Sequence, residues 1–245
     1  TFANLDHQIF ILVQKSMSDF FNWTPQDFGL YAAITFLVSG FLCSQIGVFT
    51  DRIGRKKSLL ISTLLTPLFV AYLAFAPTTV AVLIARTLGF TTAGAQSPIT
   101  LTTVTESSPP RFRGLFTGIL QIGFPLGAAL AAFFISLILK EDGSNFQYTF
   151  LLALLFLPYG WIIHKYLPES KAWLEAQQRK TDDQPQPSTL VLFQKEWRRK
   201  SLLLFTGQFL YAFAYGSTFF LPFYLQLDRG YLEGEAIKMV GQAYA

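Results

Sequence analysis

Uncharged apolar stretches separated by short polar links run almost the whole length of this chain. Residues 28–49 carry no charge, nor do 58–76 or 115–139. Residues 79–104 are interrupted only by Arg86, and residues 146–161 and 202–227 complete the series, the former needing its polar flank to reach full length. About 20 apolar residues cross the hydrocarbon core of a bilayer, so each stretch is predicted to be a spanning helix. Residues 1–22 are only moderately apolar, and hydropathy alone does not make them a span. The tail, 237–245, reads as a helix cut short.

The links are brief: 22–27, 50–57, 77–78, 107–114 and 140–145. Short links force neighbouring helices to be antiparallel. The exception is 169–200, a polar stretch with Asp182-Asp-Gln-Pro-Gln-Pro-Ser188 at its centre, expected to tether two bundles. Three regions follow: a membrane bundle over 1–174, a cytoplasmic linker over 175–200, and the beginning of a second bundle over 201–245. Small residues recur four apart at Gly89 and Ala93, Gly114 and Gly118, and Gly123 and Gly127, a spacing that lets helix backbones approach closely in lipid. Pro98, Pro125, Pro158 and Pro222 fall inside apolar stretches, where a missing backbone donor kinks a helix.

Composition points to the same solvent. The chain is 51% hydrophobic, 16% aromatic and 14% charged, where a soluble domain carries about a quarter charged residues. The net charge of +4 needs no nucleic-acid partner, because the cations cluster by side. If 50–57 is inside, the inner links hold Arg52, Arg55, Lys56, Lys57, Arg111, Arg113, Lys165, Lys171, Arg179, Lys180, Lys195, Arg198, Arg199 and Lys200. The outer links hold Lys140 and Arg229. That asymmetry is the positive-inside pattern of a multi-pass membrane protein. Cys43 is the single cysteine, so a disulfide within the chain is excluded, and His7 and His164 are too far apart for a structural zinc site. The start at Thr1, without a basic leader, shows no signal peptide, and truncation at both ends is expected.

Two groups of residues could carry chemistry. Asp6, Lys15 and Arg86 fall at bilayer depth, where a charge costs roughly 2.5–3.5 kcal/mol or more and must face a partner or a water-filled cavity. Lys15 is the weakest of these, being able to reach outward past Met17. The second group is cytoplasmic: Asp51-Arg52-Ile-Gly54-Arg55, then Glu106 with Arg111 and Arg113, then Pro168-Glu169-Ser170. These charges either enforce topology as solvated groups or form a network that biases a two-state equilibrium.

The run Gly47-Val-Phe-Thr-Asp51-Arg52-Ile-Gly54-Arg55-Lys56-Lys57 resembles the G-x-x-x-D-R-x-G-R-K/R-K/R signature of the major facilitator superfamily at every defined position. The resemblance extends over about 2–227. Arg86 with Gly89 and Gly94 matches the fourth-helix pattern, Glu106 to Arg113 matches the E-x6-R loop, and Leu167-Pro168-Glu169-Ser170 with Trp173 is similar to the PESPRWL element of the sugar-porter and organic-acid branches. It implies an all-α integral membrane fold of two six-helix halves rocking about a midplane site. This chain would then supply the six-helix N-terminal bundle with a truncated first helix, the seventh helix and the start of the eighth. The C-terminal half of the same transporter is an expected partner.

The resemblance also implies a site. Asp6 on the first helix faces Arg86 on the fourth, and the pair can bind and release a proton as it moves between a desolvated and a cation-stabilised setting. Gln121, Gln208, Tyr211 and Tyr215 are implied as substrate contacts. Gly47, Asp51, Arg52, Gly54, Arg55, Glu106, Arg111, Arg113 and Glu169 are implied as a cytoplasmic gate. Sugar porters place a second fifth-helix glutamine where Ala128 stands, and their seventh-helix glutamine pair is here reduced to Gln208. A carboxylate gripped by Arg86 fits better. The expectation is therefore a non-enzymatic, proton-coupled organic-acid transporter of a bacterial cytoplasmic membrane, needing no cofactor or metal. Sugar:proton symport is the alternative, and a non-transporting sensor on the same scaffold is the rival from another class.

Overall fold

The computed structural model describes the backbone of residues 2–140, 143–178 and 193–244, with side chains except at 2–6, 171–172, 214–219, 223, 233 and 241–244. The first helix is broken in two, α1 (Phe2–Leu12) and α2 (Gln14–Phe21), and α2 stops at Asn22, whose φ of 55° is left-handed. Ile9, Phe10, Ile11, Leu12, Val13, Gln14, Ser16, Met17 and Ser18 are all buried. A helix enclosed by protein on every side need not match lipid, which is why the hydropathy of 1–22 fell short.

The second helix is α3 (Pro25–Ile53). Its start is a capping box: Thr24 Oγ1 accepts from the Asp27 N–H (3.2 Å), and the Asp27 carboxylate accepts from the Thr24 N–H (2.9 Å), with Pro25 in the first turn. Leu30, Leu37 and Phe41 are exposed along it, a surface suited to lipid. The third helix, α4 (Arg55–Tyr72), begins immediately after Gly54 and ends in a 3-10 turn over Leu73–Phe75. The fourth is α5 (Thr79–Ser107), capped by Thr78. After a 3-10 turn at Pro110–Phe112 comes α6 (Arg113–Ile138). The sixth is composite: α7 (Gln147–Leu151), a 3-10 segment over Leu152–Phe156, and α8 (Leu157–Tyr166). A short α9 (Lys171–Gln178) follows; α10 (Lys195–Phe219), α11 (Leu221–Leu227) and α12 (Glu233–Tyr244) end the chain.

Among the described residues, four helical segments are long and apolar enough to cross a membrane: Pro25–Ile53, Arg55–Phe75, Pro110–Ile138 and Gln147–Tyr166. At 29 residues, α5 has the length, but its threonines, Gln96 and Arg86 lower its hydropathy. Those polar groups turn inward. The Thr66 and Thr92 hydroxyls stand 2.8 Å apart, and Gln96 Nε2 donates to Thr66 Oγ1 (3.0 Å) and to the Ser62 carbonyl (3.1 Å). This polar seam joins α4 to α5. Beside it, a Cβ added at Gly89 would lie 3.4 Å from Phe69 Cβ, so a small residue is what allows the two helices to meet. Of the other small pairs, Gly123 and Gly127 are buried on α6, whereas Gly114 and Gly118 face open space.

The prolines divide. Pro98 and Pro125 lie inside α5 and α6, as does Pro67 inside α4. Pro158 and Pro222 instead occupy the first turns of α8 and α11. There a missing N–H costs nothing, since the first turn's donors lack helical acceptors anyway. They open new segments rather than kink old ones.

Thr66→Val keeps the shape of the seam and removes its central hydroxyl, leaving Gln96 and Thr92 short of a partner. A loss of about 1 kcal/mol is expected, read as a lower unfolding temperature in detergent, with Thr206→Val on the exposed face of α10 as a neutral control.

Candidate functional site

Two clusters form at different depths. Inside the bundle, α5 aims Arg86 at α1, and the residue is 4% exposed. Its Nη2 donates to His7 Nδ1 at 3.0 Å, and its guanidinium carbon lies over the Phe10 ring at 4.2 Å and near the Phe90 ring at 5.3 Å. His7 contacts Phe90 and Phe36, with ring centroids 5.4 and 6.2 Å away. Burial behind aromatic faces suits a guanidinium, which is weakly hydrated and attracted to π-faces. A void of ≈ 10 Å³, about the room one water requires, adjoins Arg86 between Phe10, Trp23, Phe28 and Tyr31.

Asp6 lies on α1 one residue before His7, and its side chain is outside the described residues. His7 is the residue that sequence reading missed. It was weighed only as a zinc ligand, although its place beside Asp6 was a usable signal. Lys15 is not isolated at depth. It pairs with Asp19 at 2.7 Å, one turn on, and is half-exposed. Gln121 on α6 and Gln208 and Tyr211 on α10 are exposed, on faces that the described residues leave open. The Tyr215 side chain is also outside the described residues.

At the basic end of the bundle, separated pieces of sequence converge. Gly54 ends α3 and precedes α4 with a φ of 102°, which L side chains rarely adopt. The Glu169 carboxylate sits over this turn, where its Oε1 accepts from the Arg55 N–H (2.8 Å), the Lys56 N–H (3.1 Å) and the Ser170 N–H (3.1 Å). A carboxylate at a helix N-terminus meets donors that have no helical acceptor and a favourable dipole. Here the capping residue comes 114 positions after the helix it caps. A Cβ on residue 54 would fall 2.3 Å from Glu169 Oε2, so the contact requires glycine.

Side chains extend the junction. Arg55 pairs with Asp51 at 2.9 Å and reaches Glu106 at 3.6 Å. The Ser170 hydroxyl donates to Glu106, and the Trp173 indole N–H donates to the Asp51 carbonyl at 2.9 Å. Asp51 is half-exposed, so its ion pair alone is worth no more than about 1 kcal/mol. A cleft of ≈ 220 Å³ opens beside it between α3 and α5, lined by Cys43, Gly47, Thr50, Asp51, Arg55 and Pro98 among others. Arg52 is exposed; Arg113 donates to the Ser108 carbonyl (3.4 Å) and Arg111 stacks on Phe112. Of the expected gate, Asp51, Gly54, Arg55, Glu106 and Glu169 thus meet in one network.

Spanning helices around a buried arginine, with a charge network at the basic end, define a multi-pass integral membrane bundle. The pattern that defines the Major Facilitator Superfamily matches residues 1–245, and the chain belongs to that superfamily. It is 29% identical to the niacin transporter of Acinetobacter baylyi over 173 residues, which is 71% of this chain and 39% of that protein. It is 31% identical to the 3-(3-hydroxy-phenyl)propionate transporter of Escherichia coli over 169 residues, 66% of this chain and 38% of the other. The chain thus spans less than half the length of these curated relatives. A crystal structure of a D-xylose-proton symporter superposes with a TM-score of 0.67 at 17% identity, covering 99% of this chain and 64% of that one. At that identity the likeness is one of fold.

The capping geometry predicts a non-additive pair. Gly54→Ala is expected to destabilise by about 1–3 kcal/mol through backbone strain and displacement of Glu169, and Glu169→Ala by about 1 kcal/mol. In the double variant the summed cost should fall short of the two parts, because the clash disappears with the carboxylate. Thermal unfolding of the four proteins in one detergent measures this, and strict additivity would show that the two residues act separately.

Proposed function

We propose that this chain is the leading part of a secondary active transporter that carries a small organic carboxylate by alternating access, with a proton moving alongside. The observation that carries the reading is Arg86, a cation almost fully withdrawn from solvent and framed by Phe10 and Phe90. A fixed guanidinium grips a carboxylate through parallel N–H donors, and flanking rings favour an aromatic body. Two relatives support it, since niacin and 3-(3-hydroxyphenyl)propionate are both aromatic carboxylic acids. Asp6, adjoining this cluster on α1, is the proposed proton carrier.

In this reading, residues 1–174 form one rocking body, 175–200 the cytoplasmic tether, and 201–245 the start of the other body. The Asp51–Arg55–Glu106 network with Glu169 holds the cytoplasmic ends of α3, α4 and α5 together in one state and loosens in the other. Gly47, Arg52, Arg111 and Arg113, on the same side, face the second half. Gln121, Gln208, Tyr211 and Tyr215 line the path between halves, where exposed amides would also serve a sugar hydroxyl. The bacterial cytoplasmic membrane is the proposed location.

Uptake by the full-length transporter in proteoliposomes with an imposed proton gradient tests this. Labelled nicotinate, gallate and 3-(3-hydroxyphenyl)propionate should accumulate, with arabinose and xylose excluded; the reverse would establish sugar symport, and binding without flux a sensor. Asp6→Asn should abolish accumulation against the gradient while sparing exchange of labelled for unlabelled substrate. Accumulation by Asp6→Asn equal to wild type would remove Asp6 from the proton path.

A further inference from the structure

The start of α10 holds cations where a helix least favours them. Lys195, Arg198 and Arg199 lie in its first two turns, at i, i+3 and i+4 on one face, and all three are exposed. Like charges at that spacing repel one another, and the helix dipole opposes a cation at this end. The ion pairs among the described residues are Lys15–Asp19, Arg55–Asp51 and Arg55–Glu106, so none of them neutralises this group. Glu196 lies off the face, roughly 110° round the helix at 3.6 residues per turn.

The same face continues as an apolar stripe. Leu202, Phe205, Phe209 and Phe213 follow in steps of three or four residues, and the Phe205 and Phe209 rings stack, with centroids 6.4 Å and planes 23° apart. Thr206 falls within the stripe, but its hydroxyl donates to the Leu202 carbonyl (2.8 Å) and so presents no free donor. From Arg199 to Phe209 the helix rises roughly 15 Å, half of a hydrocarbon core about 30 Å thick. Gln208 and Tyr211 lie roughly 140° round the helix from the centre of the stripe. One side of α10 is thus polar, and the other is basic at its start and apolar below. A rule that places cations on one side of a membrane requires them at this end, but not on this face.

We propose that this face of α10 is a docking surface for an acidic phospholipid. Lys195, Arg198 and Arg199 hold the phosphate-bearing headgroup, and Leu202, Phe205 and Phe209 lie against an acyl chain. A headgroup of net negative charge complements the unpaired cations, and arginine takes a phosphate through parallel N–H donors. The apolar stripe directly below is what selects a lipid over a free anion or an acidic peptide, neither of which calls for hydrocarbon contact. Lys200, stacked on the Trp197 ring at 5.1 Å, lies on the opposite side of the helix and takes no part. The bound lipid relieves the repulsion at the start of α10 and sets the depth of this helix in the membrane. None of this depends on which solute is carried.

The test uses the full-length transporter with its cysteines replaced, Cys43→Ser among them, and a fluorophore attached at Thr206→Cys, roughly 10 Å below Arg199 along the helix. In phosphatidylcholine vesicles holding a minor fraction of acyl-brominated lipid, brominated phosphatidylglycerol should quench the fluorophore about twofold more than brominated phosphatidylcholine does. Arg198→Gln combined with Arg199→Gln should remove that preference. Arg198→Lys combined with Arg199→Lys should keep most of it, and Lys200→Gln should leave it unchanged. Equal quenching by the two lipids in the labelled parent, a preference that survives the glutamine pair, or an equal loss in Lys200→Gln would overturn the inference. So would quenching by neither lipid, because the rest of the chain would then cover this face. A preference abolished by inorganic phosphate but not by chloride of equal ionic strength would overturn it in favour of a free-phosphate site.

Discussion

A bilayer offers no water to buried polar groups, and this bundle is organised around supplying the partners that water would have given. Arg86 shows the constraint at its strongest. Its charge is placed at depth, so α1 brings an acceptor in His7 and an aromatic face in Phe10, and α5 adds Phe90 from one turn further on. The same requirement sets the seam between α4 and α5, where Thr66, Thr92 and Gln96 satisfy one another. The first helix departs from it: among the described residues, the buried side chains of Gln14 and Ser18 have no hydrogen-bond partner.

The basic end of the bundle answers a different demand. A chain that turns straight from α3 into α4 leaves the first N–H groups of α4 without acceptors, and no residue near in sequence caps them. Glu169 does so from far along the sequence, and Gly54 leaves room for it. Because the cap belongs to the segment after α8, the end of the six-helix unit is fastened to its second and third helices. Ser170 and Trp173 extend that fastening to Glu106 and Asp51. The two clusters are linked through α5, which carries Arg86 near its outer end and Glu106 at its inner one. A shift of α5 therefore moves both.

Much of the architecture was legible because lipid imposes a one-dimensional rule. Apolar length marked 28–49, 58–76 and 115–139 as spans, and the described segments Pro25–Ile53, Arg55–Phe75 and Pro110–Ile138 cover all but the last residue of the second and third. The rule weakened where helices face protein: residues 1–22 were too polar for it, and α5 lies below it for the same reason. Proline was misread at 158 and 222, since sequence alone does not separate a proline that kinks a helix from one that begins a new segment. In the site, Arg86, Asp51, Arg55, Glu106 and Glu169 were visible as charges in unusual places. The role of His7 was not, because its contact with Arg86 spans 79 positions of sequence.

The sequence by itself determined the solvent and the family, since apolar patterning and a gapless signature around Gly47 to Lys57 depend only on order along the chain. Tertiary structure alone decided which side chains meet. Arg86 lies 79 positions from His7, and Glu169 lies 114 from the N–H it caps, separations that no local spacing encodes. Hydrogen bonds and ring contacts act over a few ångströms, so their partners are settled by which helices pack together. In lipid that packing is helped by small residues, such as Gly89 between α4 and α5, and by polar groups seeking partners.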